Sequence, residues 1–243
     1  MSDVTATQSF YGRWARLYDW VATAPGVESW RVRAAEALAL DPGDTVVEMG
    51  CGTGPNFPHL RERVGPEGTV VGVDLTRGML RRARERVERA GWENVHVVQA
   101  DATRPPLPGP VDAVLATFVV GMFADPRPAV RSWVDALAPG GRVALLNAGR
   151  SERRFATPLN LAFRGFVRAV APGKGSVSPA RALERRVATA RDEVRSQCPT
   201  TEFETFGLGY LGLLRGERGA GPESGPGHPT ATDAVATEPT RTQ

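Results

Sequence analysis

The amino-acid sequence predicts an α/β domain built on a doubly wound, mainly parallel sheet, and three observations predict it. Short apolar runs that read as buried strands recur at Thr45, Thr69, Asn94, Val111 and Arg142, separated by stretches with helical periodicity. The first run opens into a glycine-rich loop within V-V-E-M-G-C-G-T-G-P-N, Val46 to Asn56. The second run ends on a carboxylate, Asp74. Open α/β sheets bind ligands beyond the carboxyl ends of their strands, so this loop and this acid mark the expected crevice.

Length and composition bound the alternatives. A chain of 243 residues, 41% hydrophobic, suits one α/β domain with a tail or insertion. No run approaches the roughly 20 apolar residues of a membrane span, and the opening M-S-D-V-T-A-T-Q-S-F lacks the pattern of a secretory signal. With Cys51 and Cys198 as the only cysteines there is no disulfide framework, so the expected compartment is the cytoplasm. Three histidines and two separated cysteines offer no metal-ligand cluster. A net charge of +3 is too small to argue for a nucleic-acid partner. Lys174 is the only lysine, which leaves little material for a Schiff base or a lysine general base.

Taken in order, Phe10, Trp14, Leu17 and Val21 fall at helical spacing near Tyr11 and Tyr18. That aromatic stripe reads either as core packing or as a lid over a binding site. Trp30 to Leu40 reads as a second helix, ended by Asp41-Pro42-Gly43. Thr45 begins the first strand, and a helix is expected over Phe57–Val64 after the glycine loop. Thr69 to Asp74 is the second strand. Its terminal acid lies 20 residues beyond Gly54, the spacing a strand–loop–helix–strand unit needs to place a carboxylate beside a ribose. The following helix, Thr76–Ala90, carries Arg77, Arg81, Arg82, Arg84, Arg86 and Arg89 with Glu85 and Glu88, read as a solvated face laced with i,i+4 pairs. Asn94–Gln99 is the third strand, with His96 read as a core histidine. Val111–Thr117 is the fourth, Pro126–Ala138 a helix, Pro139-Gly140-Gly141 a turn and Arg142–Asn147 the fifth strand.

Beyond it, Leu159, Phe163, Phe166 and Val170 share a helical face flanked by Arg153, Arg154, Arg164 and Arg168. Ser178-Pro179 opens a helix reaching about Ser196. Glu202–Phe206 alternates as a strand, Gly207–Gly209 turns it, and Tyr210–Leu214 returns as an antiparallel edge strand. From Gly216 onward the composition has almost nothing to bury.

Two kinds of glycine loop fit the pattern. A dinucleotide fingerprint requires G-x-G-x-x-G, and Pro55 stands where its third glycine belongs. The alternate spacing of Gly50, Gly52 and Gly54, with Glu48 two residues ahead, instead resembles motif I of class I S-adenosylmethionine (SAM) methyltransferases. V-V-G-V-D resembles that family's ribose-binding strand, V-V-Q-A-D-A its adenine-binding turn and L-A-P-G-G-R-V-A-L-L its strand-five motif. The likeness covers about Phe10 to Arg215.

The resemblance implies a Rossmann-like sheet of seven strands with an antiparallel last strand, and SAM as cofactor. It implies that the Gly50, Gly52 and Gly54 backbone and Thr53 meet the methionine end, with Glu48 behind them. Asp74 takes the ribose hydroxyls, Asp101 accepts from the adenine amino group, Ala102 offers a backbone contact, Leu75 and Met79 sandwich the ring, and Thr117 lies near the sulfonium. Within the superfamily, F-Y-x-x-W-A-x-x-Y-D at Phe10–Asp19 and Trp30-Arg31 are similar to the ubiquinone/menaquinone-biosynthesis C-methyltransferases and to bacterial phospholipid N-methyltransferases. The quinone enzymes usually follow strand four with an Arg-Asn pair, and Phe118-Val119-Val120-Gly121 departs from it.

The expected organisation is a helical lid over 1–40, a SAM-binding core over 41–150, a helical cover and last helix over 151–200, a strand pair over 201–215 and a disordered tail over 216–243. The expected partner is a small-molecule acceptor, an isoprenoid quinone ring or lipid head group, with peripheral membrane contact through the arginine-flanked stripe. No catalytic residue is singled out; Tyr18, His59 and Asp125 are base candidates by location alone. A nucleic-acid methyltransferase is disfavoured because no D/N-P-P-Y/F motif follows strand four. A nicotinamide-dependent oxidoreductase and a non-catalytic SAM-binding protein remain as alternatives. The motifs leave the acceptor and the oligomeric state open.

Overall fold

The computed structural model describes residues 26–107, 109–149, 151 and 179–220. The Phe10–Val21 helix, the Leu159–Val170 stripe with its arginines, and the tail beyond 220 lie outside the described residues.

The elements are α1 (Val27–Glu36), β1 (Thr45–Met49), α2 (Phe57–Val64), β2 (Thr69–Asp74), α3 (Arg77–Ala90), β3 (Val95–Gln99), β4 (Val111–Thr117), α4 (Arg127–Asp135), β5 (Leu137–Ala148), α5 (Pro179–Gln197), β6 (Thr200–Phe206) and β7 (Leu211–Glu217). The seven strands form one sheet in the order β3-β2-β1-β4-β5-β7-β6. Strands β1 to β5 run parallel, and β7 pairs antiparallel with both β5 and β6.

Both faces of the sheet are covered, which is why β1, β4 and β5 read as continuous apolar runs. Helices α1 to α3 pack Ala34, Ala35, Phe57, Leu60 and Leu80 against Val46, Leu115 and Leu146 on one face. Helices α4 and α5 pack Val130, Trp133, Val187 and Val194 against Val47, Val114, Leu145 and Leu214 on the other. Successive strand residues therefore serve opposite layers, so Glu48 and Thr117 face the α1–α3 side and Asn147 the α4–α5 side.

Several boundaries differ from expectation. Helix α1 ends at Glu36, short of Leu40, because Ala39 turns left-handed (φ 43°). Helix α4 stops at Asp135 and β5 already starts at Leu137; Pro139-Gly140-Gly141 forms an irregularity inside the strand, where the register jumps from Val111↔Leu137 to Ala113↔Arg142. The expected Tyr210–Leu214 edge strand is antiparallel but interior; β6 is the edge. Strand β7 runs to Glu217, and Arg218 donates to the carbonyls of Asp135 and Leu137, so ordered chain extends past the expected tail boundary at 216. His96 is exposed rather than in the core, because β3 forms the other edge.

Candidate active site

The loop after β1 keeps its shape through glycine. Gly50, Gly52 and Gly54 have φ of 70°, 56° and 70°, a region costly for other residues. A Cβ at Gly50 would stand 2.6 Å from Val119 Cγ2, and one at Gly54 would enter the Phe57 ring. The amides of Gly50 and Cys51 donate to the Val73 carbonyl at 2.7 and 3.0 Å, tying the loop to the end of β2.

Asp74 completes that tie. Its Oδ2 accepts from Gly52 N at 3.0 Å and its Oδ1 from Thr76 N at 2.7 Å. Each carboxylate oxygen has two lone-pair sites, so each keeps acceptor capacity for a ligand hydroxyl. Beside it Leu75 is 46% exposed, unusual for a leucine next to a buried strand, and Met79 is half-buried. At the end of β3 the exposed Asp101 accepts from the N–H and hydroxyl of Thr103, both at 2.8 Å. The buried Ala102 carbonyl accepts from Trp133 Nε1 at 2.7 Å. Arg86, expected on a solvated face, instead donates from Nε to the Thr53 carbonyl at 3.2 Å and braces the loop.

Behind the loop is a buried polar cluster. Glu48 is fully buried, and its Oε1 accepts from Asn56 Nδ2 at 2.5 Å and from Thr117 Oγ1 at 3.4 Å. Asn56 Nδ2 also reaches Thr117 Oγ1 at 3.1 Å. Burial pushes the Glu48 carboxyl up to about 8, against the opposing pull of Asn56, Thr117 and the charge of Arg31. Glu48 Oε2 and Asn56 Oδ1 have no hydrogen-bond partner. Asn56 Oδ1 is thus an orphaned acceptor, and Glu48 Oε2 becomes a second one when the carboxyl ionises, which a cation nearby favours; beside a backbone cradle they suit a ligand that brings donors, such as an amino-acid ammonium. Sequence reasoning missed Asn56. The available signal was an acid inside a buried strand, which needs a donor, and an amide eight residues on, at the head of the expected helix, able to supply one.

Two of the three candidate bases are engaged in pairs. His59 lies on α2 with Nε2 2.9 Å from Glu28 Oε1 of α1. Asp125 is held by Arg127 in an exposed ion pair (2.9 Å), which lowers its pKa. Tyr18 lies outside the described residues. Among the described residues no group of His, Cys, Asp and Glu could hold a metal ion.

A mainly parallel sheet of this order, closed by an antiparallel β7, with a left-handed glycine loop after β1 and acids at or just beyond the ends of β2 and β3, has the class I methyltransferase fold. Residues 46–141 match the sequence family described as a methyltransferase domain. The chain is 34% identical over 139 residues to nocamycin O-methyltransferase of Saccharothrix syringae, covering 56% of this chain and 48% of that protein. It is 30% identical over 122 residues to demethylmenaquinone methyltransferase of Listeria welshimeri, covering 50% of this chain and 52% of that protein. The chain thus spans about half the length of these curated relatives. A SAM-dependent methyltransferase from Aquifex aeolicus superposes with a TM-score of 0.56 at 21% identity, over 77% of this chain and 89% of that one. An O-methyltransferase family protein from Burkholderia thailandensis does so with 0.62 at 19%, over 85% and 59%. These two likenesses establish the fold. Residues 46–141 thus match a methyltransferase domain, and the sheet around them has the fold of class I methyltransferases.

Proposed function

We propose that the protein transfers the methyl group of SAM to a small-molecule acceptor with an apolar body, an isoprenoid quinone ring or a lipid head group. The cofactor part of this reading is carried by one arrangement: a glycine-rich loop whose Gly52 amide is pinned to the Asp74 carboxylate, with Leu75 exposed beside it. The names of the relatives, one acting on demethylmenaquinone, support a small-molecule acceptor.

SAM supplies a sulfonium methyl that is already a good electrophile, so the chain's own task is placement, for which effective molarities of about 10⁵ M or more are available. In this reading the backbone of Gly50–Gly54 and Thr53 holds the methionine end, and the unpartnered oxygens of Glu48 and Asn56 receive its ammonium directly or through water. Asp74 holds the ribose hydroxyls with its spare lone pairs. Asp101 and the Ala102 N–H take the adenine edge, Leu75 and Met79 its faces, and Thr117 stands near the sulfonium. Phe118, left-handed at φ 57°, turns the chain sharply at the end of β4, where the acceptor must approach.

A cytoplasmic protein with peripheral membrane contact fits this reading. Both cysteines are free, and among the described residues no helix is long and apolar enough to cross a membrane. The Leu159, Phe163, Phe166 and Val170 stripe with its arginines would then meet anionic head groups. Transfer of labelled methyl groups from SAM into a lipid extract tests the activity. Phe163→Ser with Phe166→Ser should abolish transfer to an apolar acceptor while SAM affinity stays unchanged. Binding to anionic vesicles should weaken as salt rises. Absence of vesicle binding at low salt, with full transfer to a water-soluble acceptor, would remove the lipid reading.

A further inference from the structure

On the opposite face of the sheet from Glu48, two buried donor atoms have no hydrogen-bond partner. Asn147, near the carboxyl end of β5, is 2% exposed, and its Nδ2 has no hydrogen-bond partner. Arg191 of α5 has a buried Nε that is likewise unpartnered. The ladder brings them together. Asn147 lies directly opposite Gly212 of β7, and opposed residues in an antiparallel pair present their side chains to the same face, with Cβ atoms about 5 Å apart. A Cβ at Gly212 would run into Arg191 Nη2 and the Phe203 ring. The guanidinium therefore occupies the space that a side chain at 212 would take, beside the Asn147 amide.

The Arg191 guanidinium carbon sits 4.5 Å from the centre of the Phe203 ring, which holds it in place without neutralising it. No ion pair of Arg191 exists among the described residues. Its helical neighbours have other partners: Glu193 accepts from Arg131 and Gln197, and Asp192 from Arg195. Burial lowers the Arg191 pKa, in keeping with a cation drawn out of water with no counter-charge supplied. A half-buried positive charge and two buried donors without partners are costly unless something else satisfies them.

We propose that Asn147 and Arg191 form a site for an anionic oxygen of the methyl acceptor. The position suits that role and rests on the methyltransferase reading. Leu146 pairs with Thr117, so Asn147 is one residue beyond the strand pair that ends at the expected sulfonium. An acceptor lying across the ends of β4 and β5 can present its reacting atom to the methyl and a carboxylate, enolate or phenolate oxygen to Asn147 and Arg191. Such a site selects apolar acceptors that carry one ionised oxygen.

The full chain, saturated with S-adenosylhomocysteine, is titrated with benzoate and with its neutral isostere benzamide, following the Asn147 side-chain amide by nuclear magnetic resonance. Benzoate is expected to shift that resonance and to bind about tenfold or more tighter than benzamide, as a charge-assisted hydrogen bond implies. Asn147→Leu and Arg191→Gln should each remove that preference while S-adenosylhomocysteine affinity stays unchanged. Asn147→Leu should melt no lower than wild type, since it deletes an unsatisfied donor. Equal binding of the two probes, an unmoved Asn147 resonance, or a clear loss of stability in Asn147→Leu would overturn the site. Should S-adenosylhomocysteine not bind at all, the cofactor reading falls, and the same benzoate comparison on the free protein still decides the site.

Discussion

Asp74 holds two backbone amides, Gly52 and Thr76, while it faces the crevice. Its removal should therefore act twice. Charge-assisted hydrogen bonds contribute about 1.5–3 kcal/mol each, so Asp74→Ala should weaken SAM binding at least about tenfold in calorimetry, and the stranded Gly52 amide should lower the melting temperature as well. An unchanged affinity would remove Asp74 from the site. Glu48 makes a second prediction through pH. Its folded pKa, about 8, lies above the ordinary 4.5, so between those values the folded state binds a proton that the unfolded state has released. This contribution is fully present below about pH 4.5 and is lost as pH rises through about 8. Melting of the wild type minus that of Glu48→Gln, which cannot titrate, should fall across this window and level off above it. A flat difference would mean that Glu48 is ionised in the folded protein.

At the scale of elements, legibility followed chemistry that is local in sequence. The strand–loop–helix unit of β1 and α2, the acid at the tip of β2 and the full extent of β4 were readable, because each is set by its own apolar run and its own turn residues. Failures came where a distant partner decides. Pro139-Gly140-Gly141 reads as a turn, but pairing of Leu137 with Val111 draws it into β5 as an irregularity. His96 looks internal until the sheet order puts β3 at an edge. Arg86 looks solvated until the loop carbonyl of Thr53 comes within its reach. Strand β7 illustrates the same rule, since nothing in L-G-L-L-R-G-E states that it lies between β5 and β6. That placement has a consequence for truncation. Gly216 and Glu217 pair with β5 and β6, Glu217 Oε2 accepts from Arg142 Nε at 3.3 Å, and Arg218 satisfies two carbonyls at the α4–β5 junction. A chain ending at Arg218 should melt measurably higher than one ending at Arg215. The lost ladder bonds are worth about 1 kcal/mol each, or roughly 2–4 °C apiece for a chain of this size. Equal melting of the two truncations would show that β7 contributes nothing beyond Arg215.

Across the whole molecule, the crevice draws its groups from the tips of β1, β2, β3 and β4, with α1 to α3 on one side of the sheet and α4 and α5 on the other. A ligand seated there touches segments far apart in sequence, so it binds the folded sheet and has no counterpart site in the unfolded chain. Linkage then fixes the size of the effect. A ligand at 100 times its dissociation constant stabilises the folded state by about 2.7 kcal/mol, which for a domain of this length is roughly 5–10 °C of melting temperature. SAM should produce a shift of that size, growing with the logarithm of its concentration. NAD should produce none, because Pro55 replaces the third glycine of the dinucleotide fingerprint and Asn56 turns its amide inward to Glu48. Gly50→Ala should lose most of the SAM shift, since its Cβ would meet Val119 and its φ of 70° disfavours alanine. A matching shift with NAD, or a full SAM shift in Gly50→Ala, would place the cofactor away from the β1 loop.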